Sequence, residues 1–286
     1  NLRFCSDTSH YPRTLAEIKK LPPLFIFLKN MSIKQVAIQA IKEAGAKICE
    51  LYVGEVKFEM KNEHDILAVA DLESEKIIIS NIKKNFPEHS ILSEEKGEED
   101  NNSEYLWIID PIDGTINFSR NIDEFCISIA VERKGELILG LIYEPLKNNL
   151  YLAEKNKGAS LNDKRINVSN ENKAINSILA TDNSSNVETR IKNYSILNNV
   201  CADVRHIRIF GSGALHLSKI ASGKIDSYYK TKFNYWDYAA GVLLVQEAGG
   251  IVTDFQGNKI SKSSKDIIAS NKALNTEITK LLNRMG

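Results

Sequence analysis

Tyr105-Leu106-Trp107-Ile108-Ile109-Asp110-Pro111-Ile112-Asp113-Gly114-Thr115 is an apolar run that turns abruptly into a pair of carboxylates. Tyr105 to Ile109 is continuous and of strand length, so both faces of the strand are expected to be buried, as at the centre of a layered sheet. The strand is expected to end at Asp110 and Pro111, where proline forces the chain out of the sheet. Asp113 then brings a second carboxylate to the same strand end. Two hard oxygen ligands that converge suit a hard divalent cation, magnesium or manganese, and the carbonyl of Ile112 between them could supply a third oxygen. Gly114 lets the backbone approach a ligand closely, and Thr115 to Phe118 reads as the first turn of a helix whose free amides would receive phosphate oxygens. The same residues equally suit a turn and a helix cap, the ordinary use of Asp-Pro and Asp-Gly pairs.

Upstream of this stretch, apolar residues recur at Ile33, Val36, Ala37, Ala40, Ile41, Ala44, Ile48 and Leu51, the spacing of one helical face, and Ser32 with Gln35 forms a candidate capping box. Asp71 precedes a second amphipathic run, Leu72 to Phe86, which Pro87 terminates, and Ser90 to Ser93 reads as a short strand. Downstream, strands are expected over Cys126 to Glu132, Leu137 to Tyr143 and Asn149 to Ala153, an antiparallel meander punctuated by Arg133-Lys134-Gly135 and by Pro145 to Asn148. After the polar segment around Asn162 to Asn172 the pattern restarts with a strand at Ser177 to Thr181 and helices at Val187 to Val200 and Ala214 to Ala221. We therefore expect an N-terminal α+β unit over 31–165 and a C-terminal α/β unit over 166–286. Residues 1–30 read as an extension outside the core. Their apolar stretch Leu21 to Leu28 is interrupted by two prolines, falls far short of the roughly 20 residues needed to span a bilayer, and no small-residue cleavage site follows it.

Lysine plus arginine equals aspartate plus glutamate at 37 each in 286 residues. No global field pulls such a chain towards nucleic acid or an anionic membrane, so neither is expected as a partner. Cys5, Cys49, Cys126 and Cys201 lie far apart with no paired spacing, which suits a reducing cytoplasm better than a disulfide framework or a zinc site.

Further carboxylates stand at element ends. Glu94 and Glu95 follow the strand that closes at Ser93, where open α/β sheets collect ligands, although Glu98, Glu99 and Asp100 also allow a solvated acidic loop. Asp237 opens the helical run Tyr238 to Ala248, closed by Gly249-Gly250, and Asp71 stands before its own helix with Ser74 three residues on, so capping explains each of them equally well. The histidines His10, His64, His89, His206 and His216 stand outside these segments; His64 and His89 read as surface residues and His216 as packing.

The run Trp107 to Phe118 resembles the main signature of the inositol monophosphatase family. Tyr235-Trp236-Asp237-Tyr238-Ala239-Ala240-Gly241, with Glu247-Ala248-Gly249-Gly250, is similar to its C-terminal signature, and Ser93-Glu94-Glu95 and Ala70-Asp71 match its upstream elements. The resemblance runs from Met31 to Gly286. It implies a layered αβαβα sandwich of the inositol monophosphatase and fructose-1,6-bisphosphatase type, and a Mg2+-dependent, lithium-sensitive phosphatase that works as a homodimer on a small-molecule phosphate ester. Glu94, Asp110 and the Ile112 carbonyl would hold one magnesium, and Asp110, Asp113 and Asp237 a second. Glu94 would help a third through waters, and Mn2+ could replace Mg2+. Gly114 and Thr115 would offer amides to the phosphate. The Thr115 hydroxyl, oriented by Asp71, would position the attacking water together with Glu94. The segment Arg208 to Ala214 resembles a substrate-side stretch in which Gly211, Ser212 and Gly213 are candidate pocket residues. Two positions depart from the family pattern: Ala68 stands where a threonine is common, and Lys230 where inositol-selective members place a glutamate. An ammonium at 230 would favour a second anionic group on the substrate, unless it points into solvent as lysine commonly does. Inositol monophosphate is thus the first expectation. Fructose 1,6-bisphosphate, phosphoadenosine phosphate or NADP are the alternatives, and a regulatory binding protein on the same fold is the reading without turnover.

Overall fold

The helical periodicity after Ser32 becomes α1 (Ile33–Tyr52), and its capping box forms: Ser32 N donates to Gln35 Oε1 at 2.9 Å and Gln35 N to Ser32 Oγ at 3.3 Å. The computed structural model describes residues 31–52, 58–62 and 65–284. The expected extension 1–30, with Cys5 and His10, and also His64, lie outside them. A hairpin of β1 (Phe58–Asn62) and β2 (Asp65–Ala68) runs directly into α2 (Val69–Asn85). The helix therefore starts earlier than its apolar pattern predicts. Asp71 does not precede α2 but lies fully buried in its first turn. Ser74, read as its capping partner, instead donates its hydroxyl to the Pro111 carbonyl at 2.9 Å.

β3 (Ser90–Ser93) forms as expected. The acidic stretch beyond it is not simply a solvated loop, because Gly97–Glu99 pairs with β3 as edge strand β4. Lys83 at 2.6 Å and Lys96 at 2.9 Å hold the Glu99 carboxylate there. β5 (Tyr105–Asp113) also differs from expectation, since it continues past Pro111. Against β6 (Cys126–Arg133), Asp110 pairs with Ser128 and Asp113 with Cys126, so three steps on one strand oppose two on the other. This is a β-bulge, a place where a sheet accepts proline. Residues three apart on a regular strand face opposite sides, and the inserted residue returns Asp110 and Asp113 to one side.

After the short helix α3 (Thr115–Ser119), the meander of β6, β7 (Glu136–Glu144) and β8 (Asn149–Glu154) is extended by β9 (Gly158–Leu161) and β10 (Lys164–Ile166). The result is an eight-stranded sheet of order β10-β9-β8-β7-β6-β5-β3-β4, in which β3 and β5 run parallel. The remaining strands are β11 (Ile178–Thr181), β12 (His206–Arg208), β13 (Ser227–Thr231), β14 (Ile251–Thr253) and β15 (Asp266–Ser270). They form a second sheet of order β12-β11-β13-β15-β14. Its helices are α4 (Val187–Val200), α5 (Gly213–Ala221), α6 (Tyr235–Glu247) and α7 (Lys272–Leu282).

Strand alternation fixes the layers. Trp107, Ile109, Ile127, Ile129 and Leu141 pack with α1 and α2, whereas Ile108, Ala130 and Ile142 on the opposite face pack with α5 and α6. Tyr228 and Ala269 of the second sheet close on α5 and α6 from the far side, while Leu179, Tyr229 and Ile268 pack with α4 and α7. The order is thus helix, sheet, helix, sheet, helix, the αβαβα sandwich, with α5 and α6 sealed between the sheets. Only small residues allow this closeness: a Cβ on Gly140 would stand 2.7 Å from the Ala240 carbonyl oxygen. Gly140→Ala is therefore expected to cost about 1–3 kcal/mol of stability by overpacking, read as a lowered denaturation midpoint.

Two histidine readings part here. His89 is not a surface residue: its ring is stacked between Phe86 at 4.7 Å and Tyr105 at 4.5 Å, and Nδ1 accepts from Trp107 Nε1 at 2.9 Å. His216 is a packing residue as expected, stacked on Tyr228 and accepting the Phe210 amide at Nε2. Burial lowers its pKa to about 3. Among the described residues no helix is long and apolar enough to cross a membrane.

Candidate active site

The ends of β3 and β5 lie side by side because the two strands are parallel, and this places Glu94 next to the bulge: its amide donates to the Ile109 carbonyl at 3.2 Å. Glu75 of α2 fixes the turn that carries it. One Glu75 oxygen accepts the Ser93 hydroxyl and the amides of Glu95 at 3.2 Å and Lys96 at 3.0 Å. From the other half of the chain, α6 brings Asp237 and α5 approaches Asp113.

Asp110 is at the centre of this arrangement. It is 2% exposed, and its Oδ1 has no hydrogen-bond partner among the described residues. Burial raises its pKa well above the usual carboxylate range, and the charges of Glu94, Asp113, Asp237 and Asp71 raise it further. An orphaned carboxylate oxygen among four other carboxylates calls for a compensating cation. The donors are hard oxygens throughout, which fits magnesium or manganese. No three of them are already drawn to ligating distance among the described residues; a cation would have to gather them.

Asp113 and Asp237 are caps as well, and each uses one oxygen for it. Asp113 Oδ2 accepts from the Ser212 hydroxyl and the Ala214 amide, both at 2.6 Å, at the start of α5. Asp237 lies three residues inside a capping box with Asn234 at the start of α6, so this helix too begins before its sequence pattern suggests; its Oδ2 accepts the Asn234 amide at 2.9 Å. The cap and the ligand readings are therefore compatible, since the caps engage Oδ2 of each. Burial pushes both pKa values up to about 6, with Ser212 opposing the shift at Asp113 and Lys230 opposing it at Asp237.

These shifts have a sign. A carboxylate with a folded pKa near 6 and an ordinary value of 3.8 binds more protons folded than unfolded between those limits, so its contribution favours the fold at low pH and is lost as pH rises. Without divalent cations the protein is expected to lose thermal stability between about pH 4 and pH 6, and Mg2+ at pH 7.5 to restore it. Thermal melts with and without chelator across that range check this.

Thr115 stands beside the cluster. Its hydroxyl has Ile112 O at 3.0 Å and Asp71 Oδ1 at 3.3 Å as acceptors. Gly114 precedes it with φ of 101°, and a Cβ there would meet the Glu124 carbonyl at 3.0 Å, so glycine is required on both counts. Asn117 ties α3 down by donating to the carbonyls of Glu124 and Phe210, each at 2.7 Å. A cavity of about 330 Å³ is lined by Asp113, Asn117, Gly211 and Lys230, among others. Gly211 lines it, whereas Ser212 is fully buried and reaches the site through Asp113. Gly213 faces a smaller space shared with Tyr228 and Asp237.

Comparison with known proteins bears on the family and the fold. The sequence profile of the inositol monophosphatase family matches residues 29–286. The chain belongs to the inositol monophosphatase family. Its relatives in that family include the inositol-1-monophosphatase of Mesorhizobium japonicum, 33% identical over 90% of this chain and 98% of that one. The Nus factor SuhB of Pasteurella multocida is 36% identical over 85% and 92%. Among solved structures, the suhB protein of Bartonella henselae superposes with a TM-score of 0.85 at 34% identity, covering 90% of this chain and all of that one. The Thermotoga maritima inositol monophosphatase does so with a TM-score of 0.82 at 34% identity, covering 88% and 97%.

Within this family frame, sequence reading missed three residues around the site. Asp182 lies just beyond β11 and pairs with Lys230 at 3.6 Å; a carboxylate after a strand end was a usable signal, of the kind that picked out Glu94. Glu75 gave none, being one polar residue within a helix. Arg190, inside α4, likewise carries no sequence signal, yet it lines the cavity. Lys230 itself does not point into solvent, with 15% of its side chain exposed.

Proposed function

We propose that this family member is a Mg2+-dependent phosphate monoester hydrolase acting on inositol monophosphate or a related small polyol or sugar phosphate. One observation carries this reading: a buried Asp110 oxygen with no hydrogen-bond partner among the described residues lies among Glu94, Asp113, Asp237 and Asp71, supplied by separate elements of both halves of the chain. Glu94, Asp110 and Ile112 O would hold one ion, Asp110, Asp113 and Asp237 a second, with a third near Glu94. Bound there, magnesium supplies a lowered pKa for the attacking water and neutralises charge on the leaving oxygen. The chain's own groups then do the positioning. The amides of Gly114 and Thr115 hold the phosphate, and the Thr115 hydroxyl passes its hydrogen-bond direction from Asp71 to the water that Glu94 also orients. Family membership supports lithium sensitivity and a homodimer as parts of the same proposal.

Relatives named Nus factor SuhB raise a second reading, a regulatory binding protein on this fold. The complete carboxylate set supports turnover over that reading, because a protein that only binds gains nothing from an uncompensated buried charge. A phosphate-release screen with inositol 1-phosphate, fructose 1,6-bisphosphate, phosphoadenosine phosphate and NADP tests the choice. Mg2+-dependent release from at least one is expected, and release from none would sink the hydrolase reading.

A further inference from the structure

Lys230 was the residue expected to meet a second anion, but its charge is already committed. Burial pulls its pKa down, yet Asp182, Asp237 and Asp113 prevail and hold it at about 12. The pair with Asp182 is close to neutral as seen from the cavity. The other basic residue on that cavity is Arg190, whose Nε donates to the Ser184 carbonyl at 2.9 Å. This fixes the guanidinium over the turn Asn183 to Ser185 and leaves both Nη groups available. No carboxylate among the described residues pairs with them. The turn also leads into the N-terminus of the 14-residue helix α4, which adds partial positive charge. Glu188 in that first turn lines a different groove, with Lys192 and Lys232. Ile116 and Ile209, 52% and 42% exposed, add an apolar lining to the same cavity.

A guanidinium whose Nη groups meet no carboxylate among the described residues, in the same cavity as Asp113 of the acidic cluster, matches a ligand that carries a second anion. An arginine fork fits phosphate through paired hydrogen bonds, and about 330 Å³ lies within the range of small-ligand sites. We infer that Arg190 is a specificity-determining residue that binds a second phosphate on the substrate, so that sugar bisphosphates are preferred over neutral polyol monophosphates. This rests on the hydrolase reading above and names the substrate class of the same site.

Steady-state phosphate release from fructose 1,6-bisphosphate and from inositol 1-phosphate, with Mg2+, tests it in the wild type, Arg190→Ala and Arg190→Lys. The wild type is expected to have the higher kcat/KM for the bisphosphate. Arg190→Ala should lower the ratio of the two kcat/KM values about 30-fold or more, mainly through KM for the bisphosphate. Arg190→Lys should recover part of it, because a point charge replaces the fork. Equal losses on both substrates, or a wild type that cleaves inositol 1-phosphate but not the bisphosphate, would overturn the inference and leave the hydrolase reading standing. Release from neither would overturn the inference, and the hydrolase reading as well if phosphoadenosine phosphate and NADP are also left intact. Far-ultraviolet circular dichroism of the variants separates a lost contact from a lost fold.

Discussion

Asp110→Asn is expected to abolish Mg2+-dependent phosphate release, lowering kcat/KM by about 10³-fold or more, while raising the melting temperature of the metal-free protein. Both effects have one cause. Asp110 is nearly inaccessible, has an oxygen without a hydrogen-bond partner among the described residues, and lies among four other carboxylates. The amide keeps the shape and removes the charge, so the fold loses a repulsion that it bears only for the sake of a bound cation. A gain of a few degrees in chelator is the scale expected for relieving about 1 kcal/mol in a chain of this size. The same substitution should remove most of the stabilisation that Mg2+ confers on the wild type. An Asp110→Asn protein that is destabilised in chelator and still turns over would show that the residue is only structural.

Thr115→Ala should cost about 10²-fold or more in kcat, within the range of proton-positioning groups, while keeping the Mg2+-dependent rise in melting temperature. A hydroxyl has a single hydrogen, and that of Thr115 has two acceptors, Ile112 O at 3.0 Å and Asp71 Oδ1 at 3.3 Å. Asp71 decides the direction by its charge, so Asp71→Asn should produce a loss similar to Thr115→Ala. The double variant should be little worse than either, because the two act as one unit. Additive losses would mean that Asp71 works through the neighbouring cluster instead. Phosphate release at saturating Mg2+, with melting curves beside it, measures all three variants.

Much of the scaffold is legible in the sequence because its causes are local. The capping box at Ser32, the apolar face of α1, the meander from Cys126 and the helix Val187–Val200 each follow from a periodicity or a turn within a short window. The bulge at Asp110 to Asp113 is different, since it exists only relative to the partner residues Ser128 and Cys126. Sequence reading therefore ended the strand at the proline and missed the device that turns both carboxylates to one side. The caps were misassigned for a similar reason. Asp113 caps a helix that begins some 99 residues later through Ser212, and Asp71 enters its helix straight from a strand. Family resemblance supplied the set Glu94, Asp110, Asp113 and Asp237, which lies at element ends where ligands collect. Arg190 and Glu75 have no such marker. They matter only through the neighbours that folding gives them, a cavity wall in one case and a turn in the other.

The most direct measurement is to soak Mn2+ into crystals of this protein and locate it by anomalous scattering. Density is expected at two or more positions bounded by Glu94, Asp110, Asp113 and Asp237, with the Ile112 carbonyl as a further ligand. Saturating manganese that leaves this cluster empty, or binds only elsewhere, would contradict the assignment of Asp110 and its neighbours as a metal centre.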